Sequence, residues 1–206
     1  MTLADEIRAW AVTRGRAMRQ ALGLDLRDLR PMGAGKLASL PTDVWNAAKL
    51  TEIREEQRPA FAGFLNAAQD VTRAHGRELV VWESLRTLER QAELYLAGRL
   101  LPGKRVTKTV SGGNHLWGIA VDLVFRTPDG QPKWPHDAPE VKPWYRGEVL
   151  PIAAAHGLSS LLLAIGIDPP HVELPYAARP AEVTGWHRRI KAEWKAFVAR
   201  DGRLAP

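Results

Sequence analysis

The chain has 206 residues, 45% of them apolar and 25% charged, with a formal net charge of +6. It holds no cysteine, which excludes disulfides, thiolate-bound metals and thiol nucleophiles, so a bound metal would need histidine and carboxylate ligands. The most apolar run, LSSLLLAIGI at 158–167, is too short to span a bilayer, and the opening MTLADEIRAWAVTRGRAMRQ lacks the uninterrupted apolar stretch of a secretory signal.

The positive balance suits polyanionic partners such as nucleic acid, anionic lipid or the anionic polymers of a bacterial wall, with a solvated basic surface as the plain alternative. No repeat or low-complexity tract appears. The chain should be made as a soluble cytosolic protein.

Residues 3–22 carry apolar side chains at helical spacing with arginines on the other faces, and they predict a helix. Residues 23–42 contain PMGAGK and LPTD and read as connection. Thr42 or Asp43 offers an N-cap for a helix from about 44. Pro59 either interrupts that helix or starts a second one, which ends near His75-Gly76.

ELVVWES (78–84) reads as a strand, and TLERQAELYLAGR (87–99) as a helix closed by Gly98. LLPGKRVTKTVSGGN is a loop, GIAVDLVF (118–125) a second strand, and TPDGQPKWPHDAP a surface loop turning at Asp129-Gly130. GEVLPIAAAHGL predicts a helix ending at Gly157, VEL (172–174) a third strand, and residues 182–200 an amphipathic helix. Helices around a small sheet make an α+β fold: a small, mainly antiparallel sheet flanked by helices, with helical N- and C-terminal extensions.

Asp122 stands between Val121 and Leu123, seven residues after His115. A carboxylate is seldom fully buried unless it is paired or binds a metal. Gly118 lies between the two, so the backbone can bend and let them converge. Histidine nitrogen and carboxylate oxygen are ordinary zinc ligands, and a catalytic zinc usually takes three protein ligands and a water.

DPPHVEL (168–174) offers the third ligand, with two prolines fixing the approach to His171. Asp168, three residues earlier, could take a proton from a metal-bound water. For each histidine alone, a packed or hydrogen-bonded residue is the competing reading.

Together these segments resemble a known family. NHLWGIAVDL is similar to the H-x-x-G-x-A-x-D segment of the D-alanyl-D-alanine carboxypeptidase and L-alanyl-D-glutamate endopeptidase family. These are zinc peptidases of bacterial peptidoglycan, several phage endolysins among them. DPPHVEL resembles the family's second segment, with an acidic residue three positions before the last zinc histidine, and ESLRTLERQAELYLAGR resembles its upstream segment. The likeness covers roughly residues 55–176 with the three segments in order.

The resemblance implies that His115, Asp122 and His171 hold one Zn2+ per chain, with Asp168 as catalytic base. It implies that Arg86 meets the substrate carboxylate or the developing oxyanion, and that Gln91 supports the Arg86 loop. Glu173 would share the strand face of His171 and orient it, and it is the second choice of base. Many relatives have Ser where this chain has Gly113, so any such hydroxyl role falls to Ser111 in a reshaped loop. SSLLLAIGI replaces a Trp-Gly-Gly-type stretch, which alters one pocket wall.

The remaining histidines have plainer readings: His136 in a loop, His156 at a helix end, His187 on a basic helix. Trp82 is assigned to the core, while Trp117 and Trp144 lie near the candidate site region. On the last helix, Trp186, Ile190, Trp194 and Phe197 form a packing stripe, and Arg188, Arg189, Lys191 and Lys195 a basic face.

The expectation is therefore a helical N-terminal extension (1–54) packed on a zinc peptidase domain (55–206). It would hydrolyse the peptidoglycan stem peptide, at the L-alanyl-D-glutamate bond first, as a monomeric, bacteriolytic endolysin of bacteriophage type. It would act on the cell wall after release from the host cytoplasm, with anionic envelope polymers as a further partner of its basic surface. The alternatives are a D-Ala-directed carboxypeptidase of the same family and a non-enzymatic, basic phage structural or nucleic-acid-binding protein.

Overall fold

A computed structural model of the chain describes residues 2–22, 41–105, 107, 110, 113–137, 139–140, 142–160 and 170–200. Most of the expected 23–42 connection and most of the apolar run at 158–167 lie outside them. The chain divides into two compact units, one of Met1–Asp28, Arg86–Trp117 and Arg179–Pro206, the other of Leu29–Leu85 and Gly118–Ala178. The architecture is α+β, a small antiparallel sheet with helical N- and C-terminal segments.

The first unit is helical. Helix α1 (Leu3–Ala21) opens on a capping box in which the Thr2 hydroxyl accepts from the Asp5 amide and the Asp5 carboxylate accepts from the Thr2 amide. Its buried stripe is Leu3, Ile7, Ala11, Gly15 and Met18. At Gly15 an added Cβ would come within 2.9 Å of the Glu89 carboxylate, so glycine permits a close approach.

In the same unit a later helix (Leu88–Leu96) is capped by Thr87, whose hydroxyl accepts from the Arg90 amide. The C-terminal helix (Ala181–Arg200) buries Val183, Ile190 and Trp194. The Trp194 ring lies 5.4 Å from Trp10, 5.1 Å from Tyr95 and 5.7 Å from Phe197. The predicted stripe therefore packs, and Arg188, Arg189, Lys191 and Lys195 are exposed.

The second unit holds the sheet. Helices α2 (Thr42–Leu50) and α3 (Arg58–Ala74) precede strand β1 (Glu78–Glu83), and the Leu88–Leu96 helix of the first unit becomes α4. Then come β2 (Ala120–Arg126), β3 (Pro132–Lys133), α5 (Leu150–Ala155), β4 (Ser159–Ser160) and β5 (His171–Glu173), with Ala181–Arg200 as α6. The strand order is β1-β2-β5-β4, antiparallel throughout, with β3 pairing β2.

Alternation along the strands divides the sheet into two faces. Leu79, Val81, Val121, Leu123, Phe125 and Val172 meet Phe61, Phe64, Leu65 and Ala68 of α3, with Leu150 and Ala153 of α5, in the main core. Val80 and Val124 meet Trp45 on the other face, with Trp82 and Trp134 half-buried beside them.

Strand β1 has a sheet partner on one side, β2, and helix side chains satisfy its outward backbone groups. Asn46 donates to the Leu79 carbonyl at 3.0 Å and accepts from the Val81 amide at 2.9 Å. Trp45 Nε1 donates to the Val81 carbonyl at 2.6 Å, and the Gln69 carbonyl oxygen accepts from the Leu79 amide at 2.9 Å. Helices thus cover an edge that would otherwise present buried unpaired groups.

Three local expectations are corrected. Helix α2 begins at Thr42 with Pro41 as N-cap and no side-chain cap, because the Thr42 hydroxyl donates to Glu78 Oε2 at 2.7 Å instead. The loop after β2 contains β3, which extends the sheet through Lys133 opposite Phe125. The helix expected to begin at Gly147 starts earlier, as a helical turn Lys142–Trp144 and a π-helical turn Tyr145–Val149 leading into α5. Pro151 cannot donate to the carbonyl four residues back, at Gly147, which is where the helix widens.

Asn46→Ala should lower unfolding stability by about 2–3 kcal/mol in urea denaturation, because it strands two backbone groups at once. Val44→Ala, at an exposed position of the same helix, should change it by less than about 0.5 kcal/mol. Equal effects would contradict the edge-capping role.

Candidate metal centre

Strand alternation aims Ala120, Asp122 and Val124 to the face opposite the main core. In the antiparallel register His171 lies opposite Asp122, and Glu173 opposite Ala120. Asp122, His171 and Glu173 therefore project from one face. His171 Nδ1 lies 3.0 Å from Asp122 Oδ1, and His171 Nε2 lies 2.7 Å from Glu173 Oε2. The side chains of His171, Asp122 and Glu173 are 7%, 14% and 12% exposed.

Burial alone would lower the basicity of His171, but hydrogen bonds and charge from Asp122 and Glu173 outweigh it and raise its pKa to about 9. Without a metal, an imidazolium is thus held between two carboxylates. The surroundings favour positive charge.

His115 sits on a 3-10 turn, Asn114–Trp117, all of it buried. The Leu116 amide donates to the Gly113 carbonyl, and the His115 carbonyl accepts from the Arg86 amide at 3.0 Å. Gly118 follows with φ of +62°, and a Cβ there would meet the Glu52 carbonyl oxygen at 3.1 Å. The left-handed φ and the tight approach both favour glycine, and the chain then enters β2.

His115, Asp122 and His171 each offer one ligand atom, and these atoms all lie within 4.8 Å of one another. This group can hold a metal ion. Two imidazoles and one carboxylate suit zinc, and adjacent ligand atoms of a tetrahedral zinc stand about 3.3 Å apart, near the 3.0 Å between His171 Nδ1 and Asp122 Oδ1. That contact makes Nδ1 the metal-facing nitrogen and leaves Nε2 to donate to Glu173, an arrangement that fixes ring orientation.

Arg86 Nη1 donates to Gln91 Oε1 at 2.8 Å, and Gln91 Nε2 donates to Thr107 Oγ1 at 3.0 Å. Gln91 is buried on α4 and touches Arg86 directly. A Cβ at Gly113 would meet Gln91 Oε1 at 3.5 Å, an ordinary contact. Steric room therefore does not force glycine at this position. Asp168 and Ser111 lie outside the described residues.

His136 is exposed on the turn Pro135–Asp137 and stacks on Trp134. His156 caps α5, and His187 on α6 lies 6.1 Å from the Trp117 ring. His75 stacks on Trp144 at 4.2 Å. Sequence reasoning missed a buried polar group in the sheet unit, where Lys49 Nζ donates to Glu52 at 3.0 Å and the Ser84 hydroxyl also donates to Glu52. The spacing of Lys49 and Glu52 was its only signal, and that spacing is common on exposed helices.

No protein-family model matches the sequence, and no curated protein matches it. Among solved structures the chain is similar to the L-Ala D-Glu endopeptidase ChiX of Serratia marcescens, at 21% identity and a TM-score of 0.47, over 76% of this chain and 100% of that one.

A metal must displace the proton shared by His171, whose pKa is about 9 in its absence. Zinc affinity should therefore rise by up to about tenfold per pH unit towards that value and level off above it. Glu173→Gln removes one stabilising carboxylate, so its plateau should begin at lower pH. Calorimetric titration of the metal-free protein checks both, and a flat profile below pH 9 would contradict the assignment of His171.

Proposed function

We propose that the protein is a zinc-dependent peptidase that hydrolyses the peptidoglycan stem peptide, with the L-alanyl-D-glutamate bond as its first target. The observation that carries this reading is the buried His115, Asp122 and His171 group. It brings together the residues that the H-x-x-G-x-A-x-D and D-x-x-H segments separate in sequence.

Zinc held there would supply Lewis-acid chemistry, acidifying a water and polarising the scissile carbonyl. The chain's own residues do the rest. Asp168 accepts a proton from the attacking water and returns it to the leaving amine. Arg86 places positive charge against the stem-peptide carboxylate or the developing oxyanion, with its guanidinium steadied by Gln91. Glu173 keeps the His171 ring in one orientation. Acting as an endolysin, the protein would be made in the host cytoplasm and reach the wall on release.

Mass spectrometry of digested muropeptides tests the proposal. The expected new ends are L-Ala and D-Glu, whereas release of D-Ala would identify a carboxypeptidase. Asp168→Ala should lose about a thousandfold in rate while keeping its zinc and circular dichroism. His115→Ala should lose zinc and activity together. Full activity in either variant would contradict the mechanism.

A further inference from the structure

A second candidate site lies elsewhere in the sheet unit. A cleft of about 540 Å³ is lined by the start of α2, the end of α3, the first residue of β1 and the end of β2. Arg126, on its wall, is four residues beyond Asp122 along β2. At strand rise that is about 13 Å from the metal-type residues.

Three arginines line this cleft from three different parts of the unit. Arg73 comes from the last turn of α3, Arg77 from the connection after it, and Arg126 from the end of β2. Among the described residues no ion pair or hydrogen bond engages the Arg73 side chain, which is exposed. Arg77 meets Glu140 at 3.5 Å, and Arg126 lies 3.9 Å from Glu78 while donating to the Thr42 hydroxyl.

Helix α2 opens at the same cleft, with Pro41 as its N-cap and, among the described residues, no side-chain cap. The Thr42 hydroxyl, which could have done so, is turned to Glu78. Two carboxylates also line the wall, Asp43 and Glu78. The lining carries three arginines against these two carboxylates, a surplus of one positive charge, with Arg126 paired to Glu78 and Arg77 to Glu140. The last carbonyls of α3 do not offset it, since Arg73 and Thr72 carbonyls accept from the Gly76 and Arg77 amides.

We infer that this cleft binds a phosphoryl group carried on a larger molecule. Guanidinium forks pair with oxyanions bidentately, and an uncapped helix N-terminus adds amides and dipole to the same volume. Donors from several directions suit a tetrahedral phosphate better than a planar carboxylate. The cleft leaves room beside a phosphoryl group for an organic substituent. The anion site stands on its own geometry. Its assignment to the bacterial envelope, as a phosphate-bearing polymer or a lipid headgroup, rests on the proposed wall-hydrolase function. Such a site would hold the protein on the envelope while the metal centre works.

The test titrates inorganic phosphate into the wild-type protein and the Arg73→Gln/Arg77→Gln variant, followed by calorimetry. Neither substituted residue lies within a strand, and unchanged thermal midpoints would confirm that the variant folds. Saturable phosphate binding weakened by at least about tenfold in the variant is expected, with hydrolysis of soluble muropeptides unchanged. Equal affinity in the two proteins, or no saturable binding to wild type, would overturn the site.

A soluble polyglycerol phosphate and vesicles of phosphatidylglycerol, against phosphatidylcholine alone, then distinguish the two sources. Tighter binding to the polymer names a wall polymer, and tighter binding to the charged vesicle names a headgroup. Both support the site. Phosphate binding without muropeptide cleavage would leave the cleft standing and remove the peptidase reading.

Discussion

The pairing of Asp122 with His171 across two neighbouring strands organises the candidate centre. Asp122 belongs to a strand whose neighbours Val121 and Leu123 are fully buried, and an isolated ionised carboxylate there would be costly. The antiparallel register supplies its partner directly opposite, and the two-residue period of β5 brings Glu173 to the same imidazole. Two carboxylates around one ring leave negative charge that a single proton only half neutralises. A dication shared with His115 would balance it, which is the electrostatic sense of the cluster.

Much of the remaining sheet unit serves to hold that register. The apolar face of β2 is fixed against α3 and α5, so a slip of one residue would turn Asp122 into the core. On the other side, Asn46, Trp45 and Gln69 occupy the outward groups of β1. The same helix, α2, spends its own N-terminus elsewhere: Thr42 serves Glu78 and leaves the first turn uncapped beside Arg73 and Arg126. One short helix therefore finishes the sheet edge with its middle, Trp45 and Asn46, and helps shape an anion cleft with its N-terminus.

The elements with strong periodicity were legible in the sequence. Helices α1, α3 and α6 and strands β1 and β2 fall within a residue or two of their predicted spans, because each carries a continuous buried face. β3 and β4 were not legible, since two residues carry no period and their pairing is imposed by the neighbouring strand. The start of α2 departs from the sequence pattern because a threonine before a helix ordinarily caps it, and only the tertiary position of Glu78 redirects that hydroxyl. The components of the centre were visible as residue types at telling spacings. The contact of Glu173 with His171 followed from strand alternation, whereas the direct contact of Gln91 with Arg86 needed the fold of the α4 entry loop. The contacts of Trp45 and Asn46 with β1 and of Ser84 with Glu52 join segments more than thirty residues apart, and the Lys49 and Glu52 spacing is common on exposed helices, so neither feature stands out in the sequence.

On this reading His115, Asp122 and His171 share one zinc ion. X-ray absorption at the zinc edge, on protein loaded with one equivalent, tests it most directly. The expected first shell is nitrogen and oxygen at about 2.0–2.1 Å with the outer-shell signature of two imidazoles, and His115→Ala, which should not retain the ion, should lack that signature. A shell without imidazole scattering, or one unchanged by that substitution, would contradict it.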